Sequence, residues 1–321
     1  MSLPALPADD GPAFAPPVLS RRDAVRAMLA RLPLHIALIA LAVVWLIPTL
    51  ALLVSSFRDP SAIATSGWWQ AARSPFDFTF ENYDEVLSQR NMGRAFVNSL
   101  VISVPSTVVL ILVAAFAAYA FAWMRFPGRD GLFLGVVALL VVPLQMTLIP
   151  ILRLYTDLRV EEVPIIGGEM PIIGGGFFGT GSFPGIWIAH TAYGLPFAVF
   201  LLRNFFASLP KDLFESAYLD GASDTRVFFR IVLPLSLPAI ASLAIFQFLW
   251  VWNDLLVALI YLGDPELYPV TRQIQSLISS FGTNYQVLTA AAFISMVLPL
   301  CVFFALQRYF VQGVLAGAVK G

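Results

Sequence analysis

Residues 95–124 read AFVNSLVISVPSTVVLILVAAFAAYAFAWM, thirty consecutive positions without an Asp, Glu, Lys or Arg. As a helix rising 1.5 Å per residue, such a run is about 45 Å long, more than the roughly 30 Å of a bilayer's hydrocarbon core. In hydrocarbon each backbone N–H and C=O has to be paired within its own segment, which a helix achieves and a lone strand does not. The stretch therefore reads as a membrane-spanning helix. Working outward from it, charge-poor runs near 34–56, 131–152, 184–206, 235–262 and 288–308 give five more spans, with Asp254 the only acid inside any of them. The expected fold class is all-α transmembrane, with a six-span domain over 33–310.

Composition agrees. The chain has 321 residues, 59% hydrophobic and 12% charged, with a mean hydropathy of +0.81. Soluble domains are about 45–50% apolar and about 25% charged, so an ordinary soluble or disordered chain is excluded. A net charge of −1 gives no electrostatic case for nucleic acid. One cysteine, Cys301, and two histidines leave no material for a disulfide framework within the chain, a thiolate cluster or a zinc site. A phosphate-binding loop needs Gly-x-x-x-x-Gly-Lys-Ser/Thr. The two lysines are Lys211, after Pro210, and Lys320, next to the end, and neither fits. The chain is expected not to be an enzyme and to hold no cofactor; energy has to come from a partner or a gradient.

Residues 1–32 form a Pro-rich tail followed by Arg21, Arg22, Arg26 and Arg31. The apolar run after them is too long for a signal peptide and lacks a small-residue cleavage site, so it reads as span one. With the N-terminus inside, twelve of the nineteen Lys and Arg fall on the inner side, which places both ends in the cytoplasm. The outer segment after span three holds PIIGG twice, at 164–168 and 171–175, and reads as two short extended pieces joined by turns or as an insertion without a role.

The inner loop 207–234 carries the most information. Residues 215–234 read ESAYLDGASDTRVFFRIVLP, after Leu209-Pro210. Pro210 suits a first helical turn, and Asp212 and Glu215 suit its positive end. Leu213, Phe214, Ala217 and Tyr218 share one face. Gly221 supplies the left-handed position that ends the helix, and Ser223 caps a second one. Pro234 is expected to break that second helix before the next span. An interfacial helix lying on lipid accounts for the Phe residues but not for a helix–Gly–helix elbow, which suits a protein socket better.

Here the chain resembles a known family. Glu215-Ser216-Ala217, then Gly221, Ile231 and Leu233-Pro234 match the EAA signature of ABC importer permeases in spacing throughout, with Ser216 where Ala is usual. Asp220-Gly221-Ala222, Leu209-Pro210, Trp252-Asn253 and the ending QRYFVQGVLAGAVKG (307–321) are similar to the sugar-permease branch, specifically its MalG-like subunit. The resemblance implies a permease in the bacterial inner membrane that handles a disaccharide, α-glucoside or oligosaccharide. It implies four kinds of partner: a second, MalF-like permease, two ATP-binding subunits carrying ATP and Mg, an extracytoplasmic sugar-binding protein, and lipid. The elbow would dock into an ATPase subunit. The tail 311–321, through Gln312, Gly313, Gly317 and Lys320, would reach the ATPase pair. The outer loop, through Tyr268, Arg272, Gln273 and Gln275, would touch the binding protein.

Polar residues inside the spans are candidates for the translocation path: Gln145, His190, Gln247, Asn253 and Asp254. An acid in lipid costs several kcal/mol, so Asp254 lines the path, lies near a helix end, or is paired within the bundle. His190 and the glutamines serve equally as interhelical hydrogen-bonding groups. Two further readings remain beside the sugar importer: a gradient-driven secondary transporter, which needs paired ionisable groups in the membrane, and an ABC permease for a non-sugar solute.

Overall fold

The computed structural model describes residues 21–73, 78–157, 163–165, 168–170, 179–280 and 285–318. The expectations for residues 1–20, for the second PIIGG copy and for Lys320 lie outside these. Two compact units divide the chain, one ending at Leu52 and the other beginning at Leu53. Helix α1 (Arg21–Ser56) carries the first apolar run. It begins upstream of residue 34 because Arg, Ala, Met and Leu are all good helix formers and extend it. Residues 31–48 are exposed all round, as befits a helix whose solvent is lipid.

The unit from Leu53 is built around α4 (Met92–Trp123) and α7 (Phe183–Ala207), which pack along their lengths. Small residues make this close approach possible: Ser99, Ser103, Ala114 and Ala118 on α4, Gly185, Ala189, Gly194 and Ala198 on α7, all buried. Helix α11 (Leu237–Trp252) packs on both, and α14 (Tyr285–Ala318) packs on α11.

Two spans expected as single helices are broken. The third consists of α5 (Arg129–Ala138), a 3₁₀ turn over Leu139–Val141, and α6 (Leu144–Asp157), with a bend of 108° between the halves. The cause is Pro143, which lacks an N–H and holds Val142 in an extended conformation (ψ 116°). The fifth ends α11 at Trp252, and the chain re-forms α12 (Leu256–Tyr261) after a short break that contains Asp254. Pro196, by contrast, leaves α7 continuous.

Short elements surround the spans. They are α2 (Pro60–Thr65), a 3₁₀ turn over Trp68–Arg73, α3 (Glu81–Asp84) with a π turn over Glu85–Gln89, and a hairpin of β1 (Val163–Ile165) and β2 (Gly168–Met170). The hairpin pairs Val163 with Met170 and Ile165 with Gly168, so it overlaps only the first PIIGG copy. Helix α13 (Val270–Ser280) lies between α12 and α14 and packs against α4 and α14. The elbow comprises α8 (Lys211–Leu219), α9 (Asp224–Val227), a π turn over Phe228–Val232, and α10 (Leu233–Leu235).

Candidate functional site

The elbow is cross-braced by its own hydrogen bonds. Helix α8 ends in a Schellman turn: the Ala222 N–H donates to the Ala217 carbonyl and the Gly221 N–H to the Tyr218 carbonyl, both at 3.0 Å. Gly221 has φ +75° there, a conformation that a Cβ disfavours. Ser223 accepts from the Arg226 N–H and starts α9. Tyr218 Oη donates to Asp224 Oδ1 at 2.8 Å across the turn. The expected break at Pro234 falls instead at Ser236. Pro234 is carried within the helical run Asp224–Leu235, just after the π turn over Phe228–Val232, and the chain then turns by 73° into α11.

Only part of the expected apolar face is inward. Phe214 is 2% exposed and Ala217 half-buried, but Leu213 and Tyr218 are exposed, and Leu219 is 89% exposed. Glu215, Ser216, Asp220 and Gly221 also face outward, while Ala222, Ile231 and Leu233 pack on the core. The signature thus separates into an anchoring side and a presenting side. The anchor is Phe214, stacked on Trp123 with ring centroids 3.5 Å apart, while Trp123 Nε1 donates to the Phe206 carbonyl at 3.0 Å. Phe228 joins from the second helix, stacked on Phe116 at 4.8 Å.

A second cluster lies within the spans. Asp254 Oδ2 accepts from the Val257 and Ala258 N–H groups at 3.0 and 3.2 Å and so starts α12. The same oxygen is 3.9 Å from His190 Nε2, and both side chains are more than nine-tenths buried. Thr271 Oγ1 donates to the Asp254 carbonyl, tying α13 to the break. Ser99 and Ser103 complete a crevice with no room for a water molecule. Asp254 thus lies at a helix end, its carboxylate held by backbone N–H groups and facing the His190 ring. Gln247 is buried against Gly194, where a Cβ would come within 2.8 Å of its Oε1. Gly194, which sequence reasoning passed over, is therefore a point where α4, α7 and α11 meet closely; its signal is a Gly inside a span. Gln145 is not brought to this cluster and stays exposed on α6, and Asn253 is exposed with its Nδ2 donating back to the Leu249 carbonyl.

The loop residues expected to touch a binding protein are organised among themselves. The Arg272 guanidinium lies 4.7 Å over the Tyr268 ring and donates to Gln275 Oε1, while Gln273 Nε2 donates to the Arg90 carbonyl at 2.7 Å. Asn98 Nδ2 donates to the Glu266 and Tyr268 carbonyls, and Ser99 Oγ accepts from the Val270 N–H. This loop is a fixed platform on α4. Gln312, Gly313 and Gly317 lie in α14, whose helix runs on to Ala318 through most of the expected tail.

Broken spans, an apolar exterior and one exposed elbow define a multi-pass membrane permease subunit. The chain belongs to the family of binding-protein-dependent transport system inner membrane components, whose model matches residues 95–316. It is 52% identical over 294 residues to the osmoprotective compounds uptake permease protein GgtD of Synechocystis sp., covering 90% of this chain and 92% of that one. It is 56% identical over 254 residues to the alpha-glucoside transport system permease protein AglG of Rhizobium meliloti, covering 78% and 62%. A chain from the crystal structure of a bacterial ABC transporter that imports the acidic polysaccharide alginate has the same fold, with a TM-score of 0.70 at 20% identity over 92% of this chain.

Proposed function

We propose that this chain is the MalG-like permease subunit of an ATP-driven importer for an α-glucoside or related oligosaccharide. It works in the bacterial cytoplasmic membrane beside a second permease, two ATPase subunits and an extracytoplasmic binding protein. The observation that carries the reading is the elbow: a rigid, exposed helix–Gly–helix unit, bolted through Phe214 to the end of α4 and continuous through α10 with α11. A push on Glu215, Ser216, Ala217 and Asp220 is delivered to both spans together, because stacked rings and a hydrogen-bonded turn transmit displacement without absorbing it. ATP-driven closure of the ATPase pair would thereby move the spans between outward- and inward-open states. The platform of Tyr268, Arg272, Gln273 and Gln275 would meet the binding protein, and the C-terminal end of α14 the ATPase pair. Both chain ends would lie in the cytoplasm.

The choice of α-glucoside rests on the substrate named for the 56% identical relative. The 52% identical relative takes osmoprotective compounds, which supports a compatible solute as a second reading. Uptake of labelled α-glucoside in cells with and without the gene, at low and high external salt, separates them. Loss of α-glucoside uptake on deletion at both salt levels is expected. Unchanged α-glucoside uptake with loss of growth only at high salt would replace the sugar by an osmoprotective solute.

A further inference from the structure

The segment after span one holds a buried charge that coupling and transport leave unused. Arg58 lies two residues beyond α1 and is 6% exposed. Its guanidinium donates to the Ala62 carbonyl at 2.9 Å, to the Ser66 carbonyl at 3.2 Å and to the Ser66 hydroxyl. Arginine has five N–H donors, so two remain. Among the described residues no carboxylate pairs with it. A buried full charge met, among the described residues, only by neutral acceptors is costly until an anion joins it.

A place for that anion exists. Arg58 lines a cavity of about 240 Å³ together with Arg73, Gln70 and Ser66, and among the described residues no acid contributes to its wall. The cavity is built independently of any ligand. Asn82 Nδ2 donates to the Ser56 and Arg58 carbonyls, both at 2.9 Å, and the Ser56 and Tyr83 hydroxyls are 2.8 Å apart. A backbone bridge between Arg58 and Phe78 closes the loop.

Its position narrows the chemistry of the anion. The apolar run of span one stops at Ser56, so Arg58 stands where hydrocarbon gives way to water. Trp69, Phe78 and Phe80 are 64%, 44% and 73% exposed in the same segment, the pattern of an interfacial aromatic belt. Guanidinium groups match phosphate oxygens in a two-point grip.

We infer that this cavity binds the phosphate of an anionic phospholipid headgroup. Arg58 and Arg73 hold the phosphate oxygens, with the Ser66 and Gln70 side chains beside them, and the exposed aromatic rings lie against the glycerol and upper acyl chains. The alternative anion, a carboxylate on a docked protein, gives no reason for the aromatic rim. The orientation proposed above places the site in the outer leaflet; the site itself requires only that span one ends at Ser56.

The test is lipid retention by the full-length protein, purified in detergent with mixed phosphatidylglycerol and phosphatidylcholine and read by native mass spectrometry. Preferential retention of phosphatidylglycerol is expected, falling about tenfold in Arg73→Gln as a charge-assisted contact is lost. Arg58→Lys, which keeps the charge but not the fork, should fall similarly. Arg94→Gln, which breaks an exposed ion pair with Glu266 elsewhere, should retain the wild-type amount. Should Arg58→Lys fail to fold, Arg73→Gln decides alone. Equal retention of both lipids, or phosphatidylglycerol retention unaffected by Arg73→Gln, overturns the assignment. Displacement of the lipid by a polyglutamate peptide at equal concentration would show a dock for protein carboxylates and overturn it too. None of these readouts involves transport, so failure of the importer reading leaves the result interpretable.

Discussion

Phe214 lies flat on Trp123, with ring centroids 3.5 Å apart and ring planes 16° from parallel. One ring belongs to the elbow and the other to the last residue of α4. This pair makes an otherwise exposed nine-residue helix part of the membrane domain. It also separates two jobs that a single signature performs: holding on, and being held.

Removing the anchor should therefore differ from removing the presented face. Phe214→Ala is expected to lose about 3 kcal/mol, the usual cost of a buried Phe, and to abolish uptake. Leu219→Ala, at a position 89% exposed, should leave the thermal midpoint of the isolated subunit unchanged but weaken co-purification of the ATPase subunits. Thermal unfolding and pull-down of the same two variants check both halves. Equal stability losses would contradict the division.

Gly221 makes a graded case. No atom outside its neighbours lies within 4 Å of a Cβ placed there, so only the left-handed φ of +75° is at issue. Gly221→Asn should be tolerated, Gly221→Ala should cost about 1 kcal/mol, and Gly221→Val should cost more and uncouple ATP hydrolysis from uptake. Ratios of transported solute to hydrolysed ATP, measured in vesicles, should follow that order.

Asp254 separates a structural acid from a proton carrier. Asp254→Asn keeps an oxygen for the Val257 and Ala258 N–H groups, so uptake should persist. Asp254→Ala removes the start of α12 and should cost about 1 kcal/mol as well as lowering uptake. If the chain were driven by a proton gradient, neutralisation to Asn would abolish uptake outright, and a protonophore would do the same in the unaltered protein. Uptake assays of these variants with and without protonophore decide it.

Gly194 is predicted to admit nothing large. A Cβ there meets Leu110 and the Gln247 amide, whose ends are flexible enough to yield a little. Gly194→Ala should be mild, whereas Gly194→Val should cost about 1–3 kcal/mol by forcing α4 or α11 away from α7. Expression and thermal stability of the two variants form the measurement.

The orientation is open to direct labelling. Ser223 and Pro265 are both exposed, so accessibility depends only on the side of the membrane. In a Cys301→Ser background, an impermeant thiol reagent applied outside should label Pro265→Cys and not Ser223→Cys. The reverse pattern would invert the topology.

Hydropathy and spacing were enough to establish that this chain spans a membrane as helices, and to show where its elbow turns. Both are local properties: an apolar run is counted residue by residue, and Gly221 stops a helix whatever surrounds it. The break at Pro143 is of the same local kind, since a proline at that place in the run is itself a reason to expect a bend. What tertiary packing alone decided is which polar residues meet. Asp254 and His190 come together only because small residues let α4, α7 and α11 close around them, while Gln145, equally polar and equally within an apolar run, is left exposed. Likewise the sequence places Arg272, Tyr268 and Gln275 on one loop without saying that the guanidinium folds over the Tyr268 ring and bonds Gln275. A side chain's type limits the partners it accepts; the distance and direction to those partners are set by helices remote in sequence, and no local pattern encodes them.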